Sequence, residues 1–235
     1  MAGLIAGTGA PYALIVALGL RFAPAYDAGA LNPGCMPLFV AAIAAAVLQE
    51  RPSPAQKLGL SLILGGALVI VGWHGAAWTF ARGLGDGLFL VASFLTAVYT
   101  VIMRQSKLAP LHVAALVSTG SLVVYAPIYV VAGSFEIARV PPAGLAIQAA
   151  YQGIAVTIVS LVLYGRAVLL LGASGGAAFG ACVPALSALL GIPLLGELPT
   201  AAGWAGITLI SAGVYLASGG PLPGIAALAG RRMIP

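Results

Sequence analysis

Charge is the feature that most confines this chain. Only fifteen of its 235 residues are Asp, Glu, Lys or Arg, and they gather in short clusters. Between the clusters lie almost uncharged stretches of about twenty residues, the length that crosses about 30 Å of hydrocarbon at 1.5 Å rise per residue. With 61% of residues hydrophobic, the polar surface that a water-soluble fold of this size needs is missing. Open strand edges do not survive in lipid, so the fold class is an all-α membrane protein, a polytopic helical bundle.

Eight spans are expected, at 3–20, 28–48, 58–78, 87–103, 109–132, 143–165, 173–195 and 201–219. Arg51-Pro52-Ser53-Pro54 and Pro141-Pro142 read as loops and helix starts, because proline fits a helix's first turn. Trp73 and Trp78 suit interfacial depth at the end of the third span. Lys and Arg counted on alternate sides give seven (Arg51, Lys57, Arg104, Lys107, Arg166, Arg231, Arg232) against three (Arg21, Arg82, Arg139). The richer side is expected in the cytoplasm, with both termini, in a cell membrane. The net charge of +5 therefore orients the chain and does not signal a nucleic acid. No cleavable signal peptide is expected, because no basic region precedes the first apolar stretch. Cys35 and Cys182 fall inside spans and are expected to pack there.

Shifted by 147 residues, positions 28–72 fall on 175–219 without a gap, and fourteen of the 45 are identical. Among them are Cys35/Cys182, Pro37/Pro184, Glu50/Glu197, Pro52/Pro199, Gly59/Gly206 and Gly66/Gly213. The offset covers five spans, an odd number. The copies should therefore be inverted, with Glu50 and Glu197 at opposite faces, an architecture of secondary transporters. A full molecule on this plan has ten spans. The first copy lacks two, so either the true start lies upstream or this is a shortened form.

Tyr151-Gln152-Gly153, Tyr164-Gly165-Arg166-Ala167, Pro184, Leu195-Gly196-Glu197 and Gly206…Gly213-Val214-Tyr215 resemble the second EamA domain of the drug/metabolite transporter superfamily. Ala17-Leu18, Arg21-Phe22, Ala28, Pro37, Leu48-Gln49-Glu50 and Gly59…Gly66 give a weaker first copy. The resemblance implies two inverted five-helix repeats that move small metabolites such as amino acids, often outward. It divides the chain into 1–78 (first repeat without its first two helices), 84–219 (second repeat) and 220–235 (cytoplasmic tail).

Polar groups inside the spans are the candidates for a solute cavity. Asn32 and Gln152 would be costly facing lipid, and Tyr12, Tyr99 and Tyr151 offer hydroxyls and ring faces to an amphipathic or cationic solute. Tyr125 and His112 are weaker candidates, His112 reading as an interfacial residue. Pro37 and Pro184 should bend their helices and suit a gate. Glu50 and Glu197 suit a gate or a brace between helix ends. Gly65, Gly66, Gly172, Gly175, Gly176 and Gly180 read as packing surfaces. No ionisable residue is expected deep in a span, which leaves ion coupling without support.

Transport of a small organic solute by alternating access is the expected function. The rival is a non-transporting component that completes its bundle with a partner. No catalytic pair, metal cluster, cofactor motif or selectivity filter stands out, so neither an enzyme nor a pore is expected. The expected partners are a small solute and the bilayer, with a homo-oligomer possible.

Overall fold

The computed structural model describes residues 2–72, 79–106, 110–131 and 140–220, apart from the side chains of 110–111, 157–158, 160–162 and 164–178. Its helices are α1 (Ala2–Thr8), α2 (Ala10–Gly19), α3 (Ala25–Val47), α4 (Pro54–Gly72), α5 (Phe80–Ser106), α6 (Pro110–Val131), α7 (Pro142–Ala150), α8 (Ser160–Leu195) and α9 (Ala201–Ala217), with a π-helical turn at Tyr151–Val159 between α7 and α8. Among the described residues five helical stretches are long and apolar enough to cross a membrane: Ala2–Gly19, Ala25–Val47, Pro54–Gly72, Phe80–Ser106 and His112–Val131. Phe179–Leu195 and Ala201–Ala217 are shorter apolar stretches. Large apolar side chains stand on the outside, such as Leu68 at 64% and Leu122 at 66% exposure. Hydrocarbon covers such a surface without penalty, and the chain is a multi-pass membrane protein.

Local chemistry sets the helix ends. Pro11, at the start of α2, has no N–H and its ring crowds the preceding turn, which breaks the first predicted span at Gly9. The Ala10 N–H donates instead to Ser121 Oγ of α6, at 3.0 Å. α4 opens on a capping box: the Gln56 N–H donates to Ser53 Oγ, and the Ser53 N–H donates to Gln56 Oε1. Thr79 caps α5 by accepting from the Arg82 N–H, and Thr200 caps α9 by accepting from the Gly203 N–H. The Thr79 cap starts α5 at Phe80, seven residues before the predicted Gly87, and so draws Arg82 and Asp86 into the helix.

The 147-residue repeat extends to the backbone. Gln49 (φ 57°) follows α3 and Gly196 (φ 70°) follows α8, both left-handed and 147 apart. One residue on, the Glu50 N–H donates to Ala44 O at 3.3 Å and the Glu197 N–H to Gly191 O at 3.2 Å. Donors and acceptors again differ by 147, so both copies stop their helix in the same way.

Close contacts fix the helix directions. Gly59 of α4 lies against Gly213 of α9, and Gly66 against Gly206, so α4 and α9 run antiparallel. α3 and α8 are also antiparallel, with Gly29 against Ser187 and Gly34 near Pro184. α3 and α5 run side by side in one direction. Asp27 pairs with Arg82 in their first turns, and Glu50, just past α3, pairs with Arg104 in the last turn of α5. Leu31, Cys35, Ile63, Ile70, Phe89, Ile207 and Ile210 fill the core among α3, α4, α5 and α9.

Three expectations change. Helical backbone runs from Pro142 to Leu195, where separate spans at 143–165 and 173–195 were predicted. In the first copy the helix is interrupted before α3 at Pro24, whose counterpart is Leu171, and a leucine neither lacks an N–H nor crowds the preceding turn. Two of the eight predicted spans are thus joined by helical backbone, and the contacts give only that α3 runs antiparallel to α8 and α4 to α9. Cys35 is buried as expected for packing, whereas Cys182 is exposed. Gly65 meets nothing within 4 Å, so of the Gly65–Gly66 pair only Gly66 packs against a neighbouring helix. Trp73, Trp78, Lys107, Arg139, Arg231 and Arg232 lie outside the described residues.

Candidate functional site

A cavity of about 370 Å³ opens where α3, α4, α5 and α9 meet. Met36 and Pro37 of α3, Thr100 of α5, Gln56 and Leu60 of α4 and Ala217 of α9 form its walls, and Glu50, Arg51 and Arg104 stand at its mouth. Its size lies at the small end of small-molecule sites. Thr100 Oγ1 donates to the Thr96 carbonyl at 2.8 Å and sits 4.0 Å from Met36 Sδ. Gln56 Nε2 donates to the Ala217 carbonyl at 3.4 Å, tying α4 to the end of α9. At the mouth, Arg104 Nη2 lies 3.2 Å from Glu50 Oε1, with both side chains half exposed. An exposed pair of this kind contributes about 0–1 kcal/mol and opens readily.

Pro37 removes one backbone donor within α3, and the same helix also holds Pro33. Pro184 and Pro193 lie within α8. One turn before Met36, the buried Asn32 donates through Nδ2 to the Tyr12 hydroxyl at 2.8 Å, joining α2 to α3. Tyr99 is half buried on α5, with its Cβ against Gly7 of α1.

The opposite end of α3 and α5 is closed by charge. Arg82 Nη2 donates to Asp27 Oδ2 at 2.7 Å and to the Tyr26 hydroxyl at 2.8 Å. Its guanidinium carbon lies 5.8 Å from the Tyr26 ring centre, within cation–π range. Asp27 and Asp86 are both fully buried, and Arg82 Nε is buried with no hydrogen-bond acceptor among the described residues. Glu197 Oε2 accepts from the Ala25 N–H at 2.7 Å, placing a carboxylate on the positive end of α3. Glu50 lies beyond the other end of the 23-residue α3, about 34 Å away at 1.5 Å per residue.

The structure thus gathers part of the expected set. Pro37 and Glu50 line the cavity, Asn32 and Tyr12 bond to each other nearby, and Glu197 caps α3 at the far end. Pro184 packs near Gly34 on the α3–α8 contact. Tyr151 is 59% exposed and Gln152 is exposed, both on the π-helical turn, away from the cavity. His112 and Tyr125 are exposed on α6.

Asp27, Arg82 and Asp86 were missed; they lie within the first two turns of α3 and α5, near the helix ends and not at the centre of a span. Asp27 lies one residue before the predicted start of the second span and Asp86 one before the fourth. Thr79 followed by a helix-compatible run was the signal available for the earlier start of α5. Nothing in the sequence signals that Asp27 meets Arg82.

Comparison with known proteins adds two findings. The model of the EamA-like transporter family matches residues 83–219. A solved structure described only as a crystal structure of a protein has a similar fold, at a TM-score of 0.58 and 24% identity, covering 99% of this chain and 77% of that one. No curated protein matches.

Proposed function

This chain belongs to the EamA-like transporter family, and we propose that it is a secondary carrier moving a small organic solute by alternating access between two inverted repeats. The observation that carries this reading is the reciprocal packing of α4 on α9. Residues 59 and 66 correspond to 206 and 213 under the 147 shift, and the contacts made are 59 with 213 and 66 with 206. Each contact is the other with the copies exchanged, which is the mark of a two-fold axis through the interface. Because α4 and α9 are antiparallel, the axis runs across them. For spanning helices that direction lies in the membrane plane, the relation expected of inverted repeats.

A cavity at one end and a closed ion-pair cluster at the other give one half of an alternating cycle. Exchanging the conformations of the copies about the same axis gives the other half. The basic residues Arg51, Lys57 and Arg104 beside the mouth favour a cytoplasmic opening, suited to loading a solute for export. The wall of the cavity offers Thr100, Gln56 and Met36, and Glu50 with Arg104 offers both charge signs at its rim, chemistry that suits a small polar or zwitterionic metabolite.

Purified protein in liposomes should show counterflow of at least one solute from a panel of labelled amino acids and organic cations. Uptake no greater than that of empty liposomes across the whole panel would sink the carrier reading in favour of a non-transporting component.

A further inference from the structure

The carrier reading leaves the class of solute open, and the charges and donors around the cavity bear on it. Glu50, Arg51 and Arg104 are the charged groups in its lining, two guanidiniums against one carboxylate. Lys57, exposed in the first turn of α4, adds a further positive charge beside the mouth. The other described carboxylates lie toward the opposite end. Asp27 is in the first turn of α3, Asp86 in the second turn of α5, and Glu197 holds the Ala25 N–H. Positive residues at this end orient the chain, yet any loop position would serve that purpose. Arg51 and Arg104 stand in the cavity lining itself.

Hydrogen bonding leans the same way. Glu50 is held by Arg104 at 3.2 Å, which leaves Arg51 without an ion-pair partner among the described residues. Gln56 Oε1 is taken by the Ser53 N–H at 2.9 Å, and its Nε2 reaches the Ala217 carbonyl through one long bond of 3.4 Å. What Gln56 has to spare is therefore a donor. Its hydrogens add to those of Arg51 and Arg104, and a carboxylate, which only accepts, is the group that such a set fits.

Resting on the carrier reading, we propose that the solute is recognised through a carboxylate, which takes Arg104 from Glu50 while Arg51 supplies the balancing charge. Arg104 lies in the last turn of α5, where free carbonyls favour a cation, so its guanidinium stays in place when the half-exposed pair opens. A monoanion makes the lining neutral, a zwitterion leaves its charge unchanged, and an organic cation adds to it. The cycle closes the cavity and removes water, so the monoanion is the easiest of the three to enclose and the cation the hardest. In a zwitterion the group recognised is the carboxylate, with the released Glu50 free to meet the ammonium. Organic cations are not carried.

The test places Ala41→Cys in the cavity wall of a chain carrying C35A and C182A, purified in an uncharged detergent. The thiol is alkylated by iodoacetate, which bears a carboxylate, by iodoacetamide, its near-isosteric neutral amide, and by bromoethylamine, a cation. Each rate is divided by the rate with mercaptoethanol, and comparing reagents at one thiol cancels any change in that thiol's own acidity. A unit charge at about 4 Å in water changes a rate about fivefold, so iodoacetate should lead iodoacetamide by about that factor and bromoethylamine should trail. Arg51→Gln and Arg104→Gln should each remove the lead, and Arg51→Lys, which keeps the charge, should retain it. An iodoacetate rate that leads no more than with mercaptoethanol, or a lead that survives both glutamine substitutions, would overturn the proposal. If Ala41→Cys does not fold, Val40→Cys reads the same space. No transport is measured, so failure here is separable from that of counterflow. Absence of the lead beside positive counterflow removes the carboxylate and leaves the carrier.

Discussion

The carbonyl oxygen of Gly206 lies 2.7 Å from the place a β-carbon on Gly66 would take, and the Gly66 carbonyl lies 2.9 Å from the same place on Gly206. Seven residues along, Gly59 and Gly213 repeat the relation at 2.7 and 2.6 Å. In a membrane, where helices gain little from leaving lipid, backbones brought this close associate through packing. α4 and α9 can approach so closely only because four positions carry no side chain.

Gly66→Val or Gly206→Val should therefore push two backbones apart and cost about 1–3 kcal/mol, the range for overpacking a tight contact. Gly65→Ala, which meets open space, should be near neutral. Thermal unfolding of the purified variants in detergent measures both. Equal loss at Gly65 and Gly66 would contradict the contact.

The matched helix ends predict opposite effects at equivalent positions. Gln49 holds a left-handed conformation that costs a residue with a β-carbon about 1 kcal/mol and costs glycine little. Gln49→Gly should raise stability by up to that amount, and Gly196→Gln should lower it by about as much. A fall in melting temperature for Gln49→Gly would show that another interaction holds residue 49.

The two ion pairs joining α3 and α5 should differ sharply. Arg82→Ala takes the guanidinium from a carboxylate that is 1% exposed, and breaking a buried pair in this way costs about 3–5 kcal/mol. Arg104→Ala leaves a half-exposed Glu50 and should cost less than about 1 kcal/mol. Asp27→Asn combined with Arg82→Gln should recover part of the loss, because Asp27 then no longer carries a charge without its guanidinium. A double variant as unstable as Arg82→Ala would point to the Arg82–Tyr26 contact as the one that matters.

Inversion has a direct readout. Arg51 and Leu198 are exposed and equivalent under the 147 shift. Single cysteines there, in the C35A and C182A background, should react with an impermeant maleimide from opposite sides of the membrane, the Arg51 position from the cytoplasm. Reaction of both from one side would dismantle the two-fold reading.

Much of this was legible in the sequence because it is local or periodic. The repeated Glu-x-Pro marks both helix ends, and the Gly59/Gly206 and Gly66/Gly213 matches mark the helices that meet. Other features were not legible because they depend on what faces a residue. Gly65 and Gly66 are neighbours in sequence, yet only Gly66 points at α9. Tyr151 and Gln152 are polar enough to prefer a cavity, but they sit on a turn whose neighbours leave them outside.

The sequence by itself determined a helical bundle in lipid, because a backbone in oil must satisfy its own polar groups, and it carries the identities at a 147-residue shift that pair α3 and α4 with α8 and α9. Tertiary structure alone decided which charges meet. Asp27 and Arg82 are 55 residues apart, and a capped helix start together with a parallel α3–α5 contact brings them to 2.7 Å. Short-range chemistry writes the elements, whereas a buried ion pair exists only once packing has removed the water between its partners.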